Sequence, residues 1–91
     1  MTYPAIKTDL KKLKARISQV QTRRFRAIQK NNYEMARMYE KDAKDLTKIL
    51  ILLKVENFKS AWSIIEWLDT AVRDEIPARL YNFIAKENGY C

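Results

Sequence analysis

The fold is decided by residues 10–53, LKKLKARISQVQTRRFRAIQKNNYEMARMYEKDAKDLTKILILL. Apolar residues recur in the first half of this stretch at the three- and four-residue spacing of a helical face. A first helix is therefore predicted from about Asp9 to Lys30, with Thr8 as its N-cap. Its apolar stripe consists of Leu10, Leu13, Ile17, Val20 and Ile28.

The second half of the stretch predicts a helix that folds back on the first. Asn31 with Glu34 three residues later is typical of a capping box, so the break at Asn31 and Asn32 indicates a tight reversal. Because both helices are amphipathic and their connection is short, we expect an antiparallel hairpin. The last turns of the second helix, Ile49 to Leu53 with Val55, are apolar on nearly every side and are expected inside the bundle.

The remaining residues predict two further helices. Asn57 is a suitable cap for a third helix that ends near Arg73, and Pro77 suits the first turn of a short fourth helix that ends near Gly89. A chain of 91 residues supports one hydrophobic core. The expected fold is therefore all-α, a small four-helix bundle built on an N-terminal antiparallel helical hairpin, with residues 1–91 as a single domain.

The positive charge of this chain is concentrated at its amino-terminal end. The formal net charge is +7, with 18 Lys and Arg against 11 Asp and Glu. Residues 1–30 contain nine of the bases and a single acid, Asp9, whereas residues 31–91 contain nine bases and ten acids. This asymmetry indicates an anionic partner for the first helix.

The composition argues against catalysis, metal binding and a membrane-spanning segment. The chain has no His and a single Cys, Cys91, so histidine acid-base chemistry, Cys/His zinc sites and an internal disulfide are not expected, and neither is a cofactor. The start is not typical of a signal peptide, and the longest apolar run, Ile49 to Leu53, is too short to cross a bilayer. A cytoplasmic, non-enzymatic protein is expected.

The outer edge of the first helix is the candidate binding site. Its polar positions follow steps of three and four residues, so their side chains lie along one line opposite the apolar stripe, over roughly 27 Å. We call this line the basic face. It consists of Lys12, Arg16, Gln19, Arg23, Arg26 and Lys30. Solubility explains any single exposed base, but a row of like charges destabilises a helix and favours a role for the set.

Three further residues stand out from the helical pattern. Arg24 falls inside the apolar stripe of the first helix and Asp42 lies at the same height on the second, which predicts a structural ion pair between them. Trp67 lies on the flank of the third helix, where it is either an exposed apolar contact for a partner or is covered by the fourth helix or the chain ends.

Parts of the chain resemble two known families. Asn32, Tyr33, Ala36, Tyr39, Ala43 and Leu46 resemble the second helix of a tetratricopeptide or MIT-type hairpin, although Arg24 stands where that pattern has a small residue; the resemblance implies a way of packing and no function. A second group of residues resembles the Hha type of small nucleoid modulator in order but not in spacing, which implies binding to a nucleoid-structuring protein. That group is Lys7, Thr8, Asp9, Lys30, Asn31, Tyr33, Glu34, Ile76, Pro77, Phe83 and Ile84.

Two functions fit these observations. The first is a regulatory or inhibitory protein, such as a phage-type inhibitor, that docks the basic face on nucleic acid or a nucleoprotein complex, chiefly through phosphates. The second is an adaptor that binds an acidic protein surface, with a homo-oligomer and an Hha-like modulator as two forms of this alternative. A membrane surface is a weaker partner, because the first helix has only Phe25 at its apolar edge.

Overall fold

The computed structural model describes residues 6–90, all of whose regular elements are helices. They are α1 (Ile6–Gln29), α2 (Tyr33–Lys54), α3 (Phe58–Ile65), α4 (Thr70–Arg73) and α5 (Ala78–Glu87). The predicted all-α bundle with its α1–α2 hairpin is confirmed. The prediction of four helices is wrong, because the described residues form a fifth, short helix, α4. Helix α1 also begins before Thr8, which therefore lies inside the helix and does not cap it.

The reversal between α1 and α2 is a Schellman motif followed directly by an N-cap. The N–H groups of Asn31 and Asn32 donate to the carbonyls of Ile28, at 3.0 Å, and Ala27, at 2.8 Å, and Asn31 has a φ of 59°. The side chain of Asn32 then accepts from the N–H of Met35 at 3.3 Å. The predicted capping role of Asn31 is thus wrong, because the left-handed turn takes this residue and leaves Asn32 to cap α2.

The same device joins α2 to α3. Glu56 has a φ of 58°, and the N–H of Asn57 donates to the carbonyl of Leu52 at 2.8 Å. Asn57 then caps α3, as predicted, by accepting from the N–H of Ser60 at 3.2 Å. Two short reversals of one type therefore fold the first three helices against each other.

The third helix is shorter than predicted. It ends at Ile65, and the N–H groups of Trp67 and Leu68 donate to carbonyls only three residues earlier, which tightens the chain into a turn. Asp69 is extended, with φ −63° and ψ 151°, and α4 starts after it. The apolar spacing that continues from Phe58 to Val72 thus spans two helices with different directions, because both bury their apolar residues in one core.

The core joins all five helices, with Val72 as the contribution of α4. Its largest fully buried apolar side chains are Leu13, Leu46, Ile49, Leu53, Ile65, Leu80 and Ile84. Aromatic rings pack where α3 meets α5 and the residues after it. Phe58 contacts Phe83 edge to face at 5.3 Å between ring centroids, and Trp62 contacts both Tyr81 and Tyr90. The end of α2 is less enclosed than predicted, since Ile51 and Val55 are exposed on the side that α1 and α3 leave uncovered.

Candidate anion-binding interface

The basic face runs along a largely exposed side of α1. Lys12, Arg23, Arg26 and Lys30 are exposed, and Arg16 is half-buried. Within residues 6–90, the side chains of Lys12, Arg26 and Lys30 form neither an ion pair nor a hydrogen bond. These three charges are therefore not neutralised by the carboxylates of the described chain.

Arg16 differs from the other bases of this face because it holds the fold together. Its Nη1 donates to the main-chain carbonyl of Asp74 at 3.2 Å and to that of Glu75 at 3.0 Å. These carbonyls follow α4 and lack helical partners, so the guanidinium fastens the connection between α4 and α5 to α1. The sequence predicts an exposed base at Arg16, because the residues around it in α1 give no indication of a contact with a residue 58 positions away.

Arg23 has one carboxylate neighbour. Its Nη1 lies 3.7 Å from Oε1 of Glu75, with 48% of the Arg23 side chain and 22% of the Glu75 side chain exposed. An ion pair this exposed is weak and leaves the guanidinium open to solvent. Arg23 therefore remains accessible to a second anion.

The positive charges at the carboxyl-terminal end of α1 surround two adjoining depressions. One, of about 250 Å³, is lined by Arg23, Arg26 and Lys30 together with Met35 and Tyr39 of α2. The other, of about 260 Å³, is lined by Gln19, Thr22, Arg23 and Arg26. Because Arg23 and Arg26 belong to both, the basic face is concave between residues 19 and 30.

A second basic edge lies on the other flank of α1. Lys7, Lys11, Lys14 and Lys54 surround a depression of about 270 Å³ with an apolar floor of Leu10 and Leu50. Periodicity along α1 does not predict this edge. The hairpin brings Lys54 of α2 beside the start of α1. The only sequence signal for this edge is the excess of positive charge in residues 1–30.

The predicted ion pair between Arg24 and Asp42 is not formed. Arg24 is half-buried and its Nε is buried without a hydrogen-bond partner among the described residues. Asp42 instead faces the turn before α4, where it shares a depression of about 160 Å³ with Asp45, Asp69 and Trp67. Asp42 therefore lies on the side of α2 that faces Asp69 and Val72.

The surroundings of Asp42 are acidic. Burial, followed by the negative charges of Asp45 and Asp69, raises the pKa of the Asp42 carboxyl above its ordinary value of 3.8; Lys41 opposes this and Glu75 adds to it. Trp67, beside this cluster, is 89% exposed, and no later part of the described chain covers it.

The described residues contain no group of three or more His, Cys, Asp or Glu that could hold a metal ion. None of the helices in residues 6–90 is long and apolar enough to cross a membrane. Cys91 lies outside the described residues.

These observations define the chain as a small all-α bundle with an exposed basic helix. No known protein family, curated protein or solved structure matches it. The resemblances to the tetratricopeptide or MIT-type hairpin and to the Hha type therefore gain no support from these comparisons.

Proposed function

We propose that this protein is a non-enzymatic regulator that binds nucleic acid, free or in a nucleoprotein complex, through the basic face of α1. The observation that carries this proposal is that Lys12, Arg26 and Lys30 are exposed and unpaired within residues 6–90, while Arg23 has a single weak ion pair. A row of open charges along a rigid helix attracts a row of phosphates.

Arg16 is half-buried and directed toward the connection between α4 and α5, so it does not belong to the exposed row that would follow the phosphates of a duplex. Four bases remain for phosphates, which corresponds to a slope of about −3 to −4 for log affinity against log salt on B-DNA, instead of the −4 to −5 that five bases would give. The basic face offers Gln19 as its one amide, so contacts to phosphates dominate and base recognition is weak.

The test is a fluorescence anisotropy titration with labelled single- and double-stranded oligonucleotides at several salt concentrations. A triple variant, Arg23→Gln, Arg26→Gln and Lys30→Gln, is expected to bind at least about tenfold more weakly and to have a salt slope reduced by about two to three. The proposal predicts binding by the wild type near physiological salt.

A matched control separates the basic face from net charge. Lys44→Gln, Lys48→Gln and Lys59→Gln remove three equally exposed positive charges from α2 and α3. This control is expected to retain most of the affinity, with circular dichroism verifying that both triple variants are helical. Equal losses in the two triple variants, or no binding by the wild type, would contradict the proposal.

The alternative is an adaptor that binds another protein, either a partner with an acidic surface or a second copy of this chain. Trp67 favours a protein partner, because it is 89% exposed beside Met38, which is 54% exposed. However, Asp42, Asp45 and Asp69 surround Trp67 and would repel an acidic surface. The adaptor would thus use Trp67 and the basic face for different contacts, and Trp67→Ala would weaken protein capture without changing oligonucleotide affinity.

A further inference from the structure

The largest of the described cavities lies away from the open part of the basic face, at the junction of α1, α4 and α5. Its volume is about 460 Å³, which is within the range of small-molecule sites. Side chains from three separate elements reach it. They include Arg16, Arg73, Asp74, Ile76, Tyr81 and Asn82.

Two guanidinium groups line this cavity, and the fold anchors each of them through one nitrogen. Arg16 uses Nη1 for the carbonyls of Asp74 and Glu75, and Arg73 uses Nη2 for the carbonyl of Leu68 at 3.1 Å. The other nitrogens of both groups form no hydrogen bond within residues 6–90, and Nε of Arg73 is buried there without an acceptor. Buried donors of this kind are rare in folded proteins because leaving them unpaired is unfavourable.

An arginine that the fold anchors at one nitrogen is already oriented for an anion, which can approach the guanidinium nitrogens other than the buried Nε of Arg73. Little side-chain entropy remains to be lost on binding, and charge-assisted hydrogen bonds to oxyanions are strong. Tyr81 and Asn82 add a hydroxyl and an amide that also form no hydrogen bond among the described side chains. Tyr81 itself is held in place by its ring contact with Trp62, at 5.5 Å between centroids.

We propose that this cavity binds a phosphate group through Arg16 and Arg73, with the ring of Tyr81 and the side chain of Ile76 forming an apolar wall for the rest of the ligand. A tetrahedral phosphate accepts hydrogen bonds from several directions and so suits two guanidiniums contributed by different helices. The phosphate belongs either to a mononucleotide-sized small molecule or to the end of a nucleic-acid strand.

One side chain of the cavity opposes this ligand. Asp74 is exposed and negatively charged, so its carboxylate repels a phosphate held by Arg16 and Arg73. A variant that removes this repulsion is expected to bind phosphate more tightly. Asp74→Asn does so and keeps the main-chain carbonyl that Arg16 contacts.

The test is a nuclear magnetic resonance titration of the full chain, observing the amide and arginine Nε–H signals. The probes are inorganic phosphate, adenosine 5′-monophosphate, uncharged adenosine, and an oligonucleotide with a 5′-phosphate or a 5′-hydroxyl. Both small phosphates are expected to shift the Arg73 Nε–H and the amides of residues 73–76 and 78–82, whereas adenosine leaves them unchanged. Shifts from the 5′-phosphorylated strand but not from its hydroxyl form would assign the ligand to a strand end. Shifts from the small phosphates but from neither strand would assign it to a small molecule.

The variants give expected changes in both directions. Arg73→Gln is expected to weaken phosphate binding about tenfold or more, and Asp74→Asn to strengthen it about threefold. Because Arg73→Gln also removes a contact to Leu68, Asp74→Asn decides the question if the former fails to fold. The Arg23, Arg26, Lys30 triple variant should keep the affinity of the wild type, so this site and the basic face are tested separately. An absence of shifts at millimolar phosphate, shifts confined to the basic face, or an Asp74→Asn variant that binds no more tightly would overturn the proposal.

Discussion

Arg16 and Glu75, 59 positions apart in the chain, are joined by a hydrogen bond of 3.0 Å from the Arg16 guanidinium to the Glu75 main-chain carbonyl. The same nitrogen reaches the carbonyl of Asp74. Through this contact the basic helix fixes the start of α5, so one residue of the charged row has a structural role while its neighbours remain open. Charge alone does not separate these two kinds of residue.

Replacing Arg16 is expected to destabilise the protein more than replacing its neighbours. Arg16→Ala removes two charge-assisted hydrogen bonds and leaves two carbonyls to water, which should reduce the free energy of unfolding by about 1.5–3 kcal/mol. Lys12→Ala, at an exposed position of the same helix face, should change it by less than about 0.5 kcal/mol. Urea denaturation followed by circular dichroism measures both values, and equal stabilities would show that the Arg16 contact does not persist in solution.

The ion pair between Arg23 and Glu75 is expected to be weak. Because almost half of the Arg23 side chain is exposed, a double-mutant cycle with Arg23→Gln and Glu75→Gln should give a coupling energy below about 1 kcal/mol. The Glu75→Gln single variant should also bind oligonucleotides more tightly than the wild type, because it frees Arg23 and removes a negative charge beside it. A Glu75→Gln variant with reduced affinity would count against Arg23 as a phosphate contact.

Asp42 is expected to make the protein less stable as the pH rises. Its pKa is raised in the folded state, so between its ordinary value and the raised value the folded protein binds more protons than the unfolded chain, and the free energy of unfolding falls with increasing pH. Asp42→Asn should therefore raise the melting temperature at about pH 7 and have little effect at about pH 3, below both pKa values. Glu87→Gln, an exposed control in α5, should show no such difference between the two pH values. A lower melting temperature for Asp42→Asn at neutral pH would contradict the unfavourable surroundings of this carboxyl.

The two asparagines of the first reversal are expected to respond oppositely to the same substitution. Serine is a good N-cap, so Asn32→Ser should be tolerated, whereas Asn31→Ser places a residue that disfavours the left-handed region at a φ of 59° and should cost about 1 kcal/mol. Asn31→Gly should be at least as stable as the wild type. Chemical denaturation of the three variants tests this, and tolerance of serine at position 31 together with a loss at position 32 would restore the capping assignment read from the sequence.

The sequence by itself determined the all-helical fold, the α1–α2 hairpin and the location of the excess charge. Helical periodicity, caps such as Asn57 and the distribution of Lys and Arg are local properties of the chain, and side chains three or four residues apart share a face whatever surrounds them. Local spacing left open whether Trp67 is exposed or covered by a later part of the chain, and the structure shows that it is exposed. The end of α3 at Ile65 could not be predicted from the sequence, because the apolar spacing continues across it into α4.

Only the tertiary structure decided which charges are open and which are used. The engagement of Arg16, the pair between Arg23 and Glu75, the separation of Arg24 from Asp42 and the cavity beside Arg73 all depend on where α4 and α5 meet the hairpin. Charged side chains are long and find partners according to distance in space, and the packing of a short helix at the far end of the chain sets that distance. Periodicity along one helix therefore specifies a face, but not its neighbours.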